Sequence, residues 1–160
     1  MSAAPAQAGD ILLFLVTPQS GWLGKLIGWG QKIIGQAPTQ VAYEHAALVS
    51  GPGWIIEAYW PKVRKRAFDP SQYSNVEVWR YQNLTPLQLN NILAYANTHI
   101  GEWYNVSALL TFGMVQFGHT VVCSQFVWQA FTAAWISLCP YETLESPDDL
   151  AASPLLVKCS

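Results

Sequence analysis

Every position from Ile11 to Val16 is apolar, which predicts a buried strand over 10–16. The run is far too short for a membrane span, which needs about 20 such residues. The segment 21–35 has apolar side chains at 22, 23, 26, 27, 33 and 34, a spacing that suits an amphipathic helix weakened by its glycines. It reads as a surface helix, with a flap over a site or a membrane-touching segment as other roles. Runs 43–49 and 53–60 flank the turn signal Ser50-Gly51-Pro52-Gly53 and read as strands, followed by a third at 75–81.

Helical signals dominate the rest. Thr85 suits an N-cap, Pro86 the first helical position, Gln88 completes a capping box, and Gly101 closes the helix. A short helix is expected over 105–112. Another begins near Cys123, with Phe126, Val127, Ala130, Phe131, Ala134 and Leu138 on one face. Ser146, Pro147, Asp148 and Asp149 start a capped turn whose acids favour the positive end of a helix. Strands first and helices afterwards imply an α+β fold with an antiparallel sheet. No repeat or low-complexity linker divides the 160 residues, which read as one domain with a core over about 9–157.

Composition narrows the function. An apolar fraction of 51% with 11% charged residues argues against disorder, and the eight basic against ten acidic residues leave no excess for binding nucleic acid. Half of the basic side chains lie in Pro61–Arg66, read as a solvated edge or loop, or else as a contact for an anionic substrate or surface. The N-terminus has no basic residue before its apolar run, so no cleaved leader is expected; the chain reads as cytoplasmic or delivered without one. Three cysteines lack the spacing of a zinc site, and Cys139 and Cys159 are either buried thiols or a pair. No metal or other cofactor is expected. Eight Trp among 21 aromatics exceed what such a core needs, so some rings should line a groove or an interface.

Cys123 is the residue with the most chemistry. A helix N-terminus stabilises thiolate and offers backbone N–H groups, including the cysteine's own, to an oxyanion. Ser124 and Gln125 keep that first turn polar. The partner histidine is sought among three. His45 sits in a strand, on the face expected to hold Tyr43 and Ala47. His99 lies near a helix C-terminus and reads as a surface residue, and His119 lies in a loop that would hold it poorly. A third group should fix the imidazole, and Glu57 is the candidate because a carboxylate in an apolar strand needs a partner. A two-residue turn pairing Ser50 with Gly53 would put Glu57 on the wrong face. A three-residue turn, or a bulge, would set it directly across from His45.

These segments, namely YEHAALV (43–49), WIIEAYW (54–60), GEWYNV (101–106), VVCSQFVWQAF (121–131) and SPDDLAASPLL (146–156), with GDILLF at 9–14, resemble the circularly permuted branch of the NlpC-type papain-like superfamily. Within it the bacterial YiiX-like group is the best match, and lecithin:retinol acyltransferase-like enzymes are relatives. The resemblance implies a permuted papain-like fold in which the histidine strand precedes the cysteine helix. It implies Cys123 as nucleophile, His45 as base and Glu57 as the group orienting the imidazole. Tyr104 matches a tyrosine near the site, and Tyr43 and Ser124 are expected with it on the substrate side. Asn105 stands where the group often has Asp. The implied activity is that of a cysteine amidase or peptidase acting on cell-wall peptides or similar small amides. A lipid-directed thiol acyltransferase or lipase, and a binding module with a vestigial site, are the competing expectations.

Overall fold

The computed structural model describes residues 5–17, 43–69, 72–104, 120–139 and 146–159. The helices expected over 21–35 and 105–112, together with His119 and Asn105, lie outside the described residues.

The described residues form eight strands: β1 (Ile11–Leu15), β2 (Tyr43–Gly51), β3 (Trp54–Tyr59), β4 (Lys62–Ala67), β5 (Val76–Tyr81), β6 (Trp103–Tyr104), β7 (Thr120–Val121) and β8 (Leu156–Lys158). Three helices accompany them: α1 (Pro86–Thr98), α2 (Cys123–Thr132) and α3 (Pro147–Ala151). The sheet order is β7-β6-β4-β3-β2-β1-β5-β8, antiparallel except between β6 and β7. The fold is therefore α+β, with α2 packed on β2 and β3, α1 on α2, and α3 against β2.

Both faces of the sheet are covered near its centre, which explains the unbroken apolar run of β1. Ile11 and Leu13 join the larger core with Ala46, Leu48, Ile56, Ala58, Phe126 and Phe131. Leu12 and Phe14 join a smaller core on the opposite face with Ala47, Val49, Ile55 and Phe68. Alternation along a strand sends successive side chains to opposite faces, so a strand buried on both sides needs no polar positions.

Helix α1 starts as its sequence dictates. Thr85 Oγ1 accepts from the Gln88 N–H, the Gln88 side chain accepts from the Thr85 N–H, and Pro86 occupies the first turn. Gly101, at φ 98°, completes the turn after the helix, a conformation that disfavours other residues. Helix α2 is shorter than its apolar spacing implied. It ends at Thr132, and the Ile136 N–H returns to the Phe131 carbonyl around Trp135, at φ 60°. Ala134 and Leu138 are still buried, but from the turn beyond the helix.

Of the two forms expected for the basic run, a solvated edge or a loop, the first is nearer to β4, where Lys62, Arg64 and Lys65 are exposed. Pro61–Arg66 does not form a loop: Lys62–Ala67 pairs in full with β3, from Tyr59↔Lys62 to Trp54↔Ala67. Its alternation, with Val63 buried and Lys62, Arg64 and Arg66 on the other face, is the signature of a strand written in basic residues.

Candidate active site

The site is built where β2 and β3 part. The Gly51–Trp54 pair closes a two-residue turn with Gly53 at φ 72°, and the register slips between Val49 and Gly51, leaving Ser50 as an extra residue. Pairing then runs through Val49↔Ile55 to Leu48↔Ile56 and stops, although β2 continues back to Tyr43 and β3 on to Tyr59. The expected bulge exists, but Glu57 is not directly across from His45. Carried on, the register would set Tyr59 there, and the two rings do meet, with centroids 5.7 Å apart. Glu57 lies two residues back along the same face, within reach of the imidazole. His45 Nε2 is 2.8 Å from Glu57 Oε2.

A second irregularity separates Tyr43 from His45. Phe14 pairs with His45 and Leu15 with Tyr43, so Glu44 is the extra residue of a bulge. Ala47 shares the His45 face as expected, but Tyr43 turns into the larger core on the other one. There its hydroxyl donates to Glu77 Oε2 at 2.6 Å, and the structure does not bring it to the His45–Glu57 pair.

The separation of β2 from β3 leaves room for the start of α2. Val122 is the N-cap, in extended conformation and without a side-chain cap, so Cys123 opens the first turn with the helix's N–H groups. The thiol is 3% exposed and lies within hydrogen-bond range of His45 and of the backbone N–H groups of Ala46 and Ser124. Because Glu57 engages Nε2, Nδ1 is the ring nitrogen left for the sulfur. Ser124 is itself buried. Tyr104, carried by β6, is also buried and places its hydroxyl in hydrogen-bond range of Cys123.

Charge reinforces this geometry. Burial would raise the Cys123 pKa, but the hydrogen bond and charge of His45, with the two backbone donors, bring it below the ordinary thiol value. Burial likewise opposes protonated His45, yet hydrogen bonds and charge from Cys123 and Glu57 lift its pKa to about 9. Burial first, and then the charge of Cys123, hold the Tyr104 hydroxyl far above its ordinary value, so it is a neutral donor. Both shifts favour the thiolate–imidazolium form of the pair over the neutral one. Alkylation of Cys123 by iodoacetamide is expected to be fast and flat across neutral pH and to continue above pH 9. Any turnover that needs the imidazolium proton should fall as pH rises through about 9. Parallel pH profiles of the two rates check this divergence, and a thiol that titrates in the ordinary range near 8.5 contradicts it.

Sequence reasoning did not find the arginines. Arg64, directly across from Glu57 on β4, donates Nε to Glu57 Oε1 at 2.9 Å, and its Nη2 is 2.8 Å from the same oxygen. Arg66 Nε donates to Oε1 at 2.6 Å, and Arg66 Nη1 reaches the Tyr73 hydroxyl at 3.2 Å. Glu57 is fully buried. Burial would raise its pKa, but His45 and Arg66 hold it well below the usual carboxylate range. The available signal was the alternation Lys62-x-Arg64-x-Arg66 following a strand with a single acid.

The other histidine among the described residues is accounted for elsewhere. His99 stacks on Tyr95 at 3.8 Å between centroids, and its Nδ1 donates to the Tyr95 carbonyl at 2.7 Å. None of the three cysteines forms a disulfide, so Cys139 and Cys159 are not joined to each other.

The antiparallel sheet with α2 against its centre defines a YiiX-like fold. A particular solved structure it is similar to is the crystal structure of metalloprotein yiiX from Escherichia coli O157:H7. The TM-score is 0.69 and the identity 16%, and the match covers 96% of each chain. No protein-family model and no curated protein matches the sequence.

Proposed function

We propose that the protein is a cysteine hydrolase of the permuted papain-like type, cleaving amide bonds in small peptides such as cell-wall fragments. The observation that carries this reading is the imidazole held by Glu57 through one nitrogen, with the other left for a thiol at a helix N-terminus. The order of the elements, histidine strand before cysteine helix, agrees with the permuted arrangement, and the YiiX-like fold is consistent with it.

In this reading the Cys123 thiolate attacks the carbonyl carbon, and the C–O π electrons move to oxygen. The backbone N–H of Cys123, at the helix start, and the Tyr104 hydroxyl, in hydrogen-bond range of the sulfur, are assigned as donors to that oxyanion. As the tetrahedral adduct collapses, the C–N bond breaks and His45 gives its proton to the departing amine, leaving a thioester. Neutral His45 then takes a proton from water, the hydroxide displaces sulfur, and the acid leaves with the thiolate–imidazolium pair restored. Glu57 keeps the ring in the tautomer and orientation both steps need.

The similar solved structure is that of a metalloprotein. Among the described residues of this chain no three His, Cys, Asp or Glu side chains form a group that could hold a metal ion, and no step is assigned to one. A lipid ester is the second substrate class to test. The observation favouring it is the exposed aromatic and basic surface of Tyr59, Trp60, Lys62 and Trp103 beside the pair.

The test is to incubate the protein separately with peptidoglycan fragments and with phospholipid vesicles and to follow products and intact protein mass. An acyl adduct on Cys123 with peptide products supports the amidase reading, and one with fatty-acid products the lipid reading. If neither substrate yields an adduct, and a thiol-directed probe labels Cys123 no better than in His45→Ala, the site is vestigial and the protein a binding module.

A further inference from the structure

The rim of the site carries groups that the chemistry above does not use. Trp60 is 58% exposed, Trp103 59% and Tyr59 44%, unusual for side chains whose burial is worth so much. They form one surface. Tyr59 pairs with Lys62 across the β3–β4 turn, and Lys62 pairs with Trp103 on β6. Trp60 stands in the turn itself. Cations lie over the rings: Lys62 Nζ is 4.5 Å from the Trp103 centroid, and the Arg64 guanidinium is 4.1 Å from that of Tyr59. The patch adjoins the candidate site on two sides, because Tyr59 meets the His45 ring and Trp103 precedes Tyr104.

We propose that this rim docks the protein on an anionic lipid surface. Indole and phenol rings at a hairpin tip have an apolar body and a polar edge, which suits the boundary between headgroups and acyl chains. Lys62 and Arg64 supply attraction to anionic headgroups. The chain as a whole is net negative, yet on this face of β4 Lys62, Arg64 and Arg66 outnumber Glu57, the one acid that the two arginines hold. Local positive charge joined to exposed aromatics on a net-negative protein is complementary to such a surface and to little of the protein's own. Docking there would bring the mouth of the site to the bilayer whatever bond Cys123 cleaves, so the proposal does not depend on the catalytic reading.

The experiment uses the full chain as Cys123→Ala, which removes turnover from the measurement. It is sedimented with vesicles of phosphatidylcholine alone and of phosphatidylcholine mixed with phosphatidylglycerol. Binding is expected to the mixed vesicles, with weakening as salt is raised and a blue shift of tryptophan emission. Trp60→Ala should lower partition about tenfold, and Lys62→Ala about fivefold. Neither residue touches Cys123, His45 or Glu57 among the described contacts. The same substitutions made in the cysteine-containing protein should therefore leave the alkylation rate and the melting temperature unchanged. Absence of binding, equal binding to both vesicle types, or partition unchanged in both variants overturns the proposal. So does retention of the protein on an acidic peptide or a glycan, lost in Trp60→Ala, while vesicles stay unbound.

Discussion

His45→Ala is expected to lower turnover of an amide substrate by about a thousandfold while leaving the fold intact. Two functions are lost together. The imidazolium lifts the Cys123 thiol into its thiolate form against the effect of burial, and without it a thiol only 3% exposed rises above its ordinary value. In the proposed mechanism the same ring supplies the proton for the leaving amine and accepts one from water, a contribution of about 10² to 10⁴ by itself. Alkylation by iodoacetamide needs only the thiolate, so it should fall less, by about tenfold or more at neutral pH. The fall is moderated because a less acidic thiol is the better nucleophile once ionised. The two rates measured side by side separate the roles. If turnover and alkylation drop by the same factor, proton transfer adds nothing. If neither changes, His45 is a packed side chain and the acyl-transfer reading fails.

The fold was legible wherever one physical signal acted alone. β1 showed as an apolar run because both of its faces are covered. The start of α1 showed because its capping box is a local contract among Thr85, Pro86 and Gln88. The pairing of β4 was hidden because charge, usually a mark of solvent alone, also serves there to hold a buried acid: Arg64 and Arg66 both donate to Glu57. The length of α2 was overestimated because Ala134 and Leu138 keep their burial after the chain has turned through Trp135. Periodicity reports which side chains are inside, not whether the backbone between them is still helical.

The candidate site divides in the same way. Cys123 stood out as a thiol at a helix start and His45 as an imidazole held in a strand, two settings that packing alone also produces, and Glu57 as an acid in an apolar strand. Of two bulges, the one at Ser50 was expected, as an alternative to an odd turn, from the need to bring Glu57 to His45, and the one at Glu44 was not. Ser50 and Glu44 each add one residue to a ladder, and a single added residue reverses every face beyond it. The first keeps Glu57 on the imidazole's face, and the second sends Tyr43 away to Glu77. Neither carries a distinctive side chain, so strict alternation placed Tyr43 beside His45. The early end of the β2–β3 ladder, which admits the N-terminus of α2, is a property of two strands and a helix together, not of any one segment.

Glu57→Ala is expected to destabilise the protein by about 3 kcal/mol, the low end of the range for breaking a buried ion pair. The loss is large because one fully buried carboxylate faces His45, Arg64 and Arg66 at once. Its removal leaves positive charges around a small void. It is held to the low end because Arg64 is 46% exposed and water screens it. For a chain of this length the melting temperature should fall by roughly 6 to 12 °C. Glu57→Gln preserves the shape and one acceptor, so it should lose less stability but still lower the His45 pKa from about 9. The pH dependence gives the sign. Glu57 titrates lower in the folded state than its ordinary 4.5, so its contribution is complete above about pH 4.5 and disappears on acidification. His45 titrates higher than its ordinary 6.5, so its contribution is complete below about pH 6.5 and is lost as pH rises through about 9. The parent should therefore gain most from this cluster between about pH 4.5 and 6.5. Glu57→Ala should remove the acid flank and make the alkaline one shallower, since His45 is raised first by Cys123 and then by Glu57, whereas a residue serving only to fill space would lower stability equally at every pH. Chemical denaturation of parent, Glu57→Gln and Glu57→Ala across this range distinguishes an electrostatic clamp from mere packing.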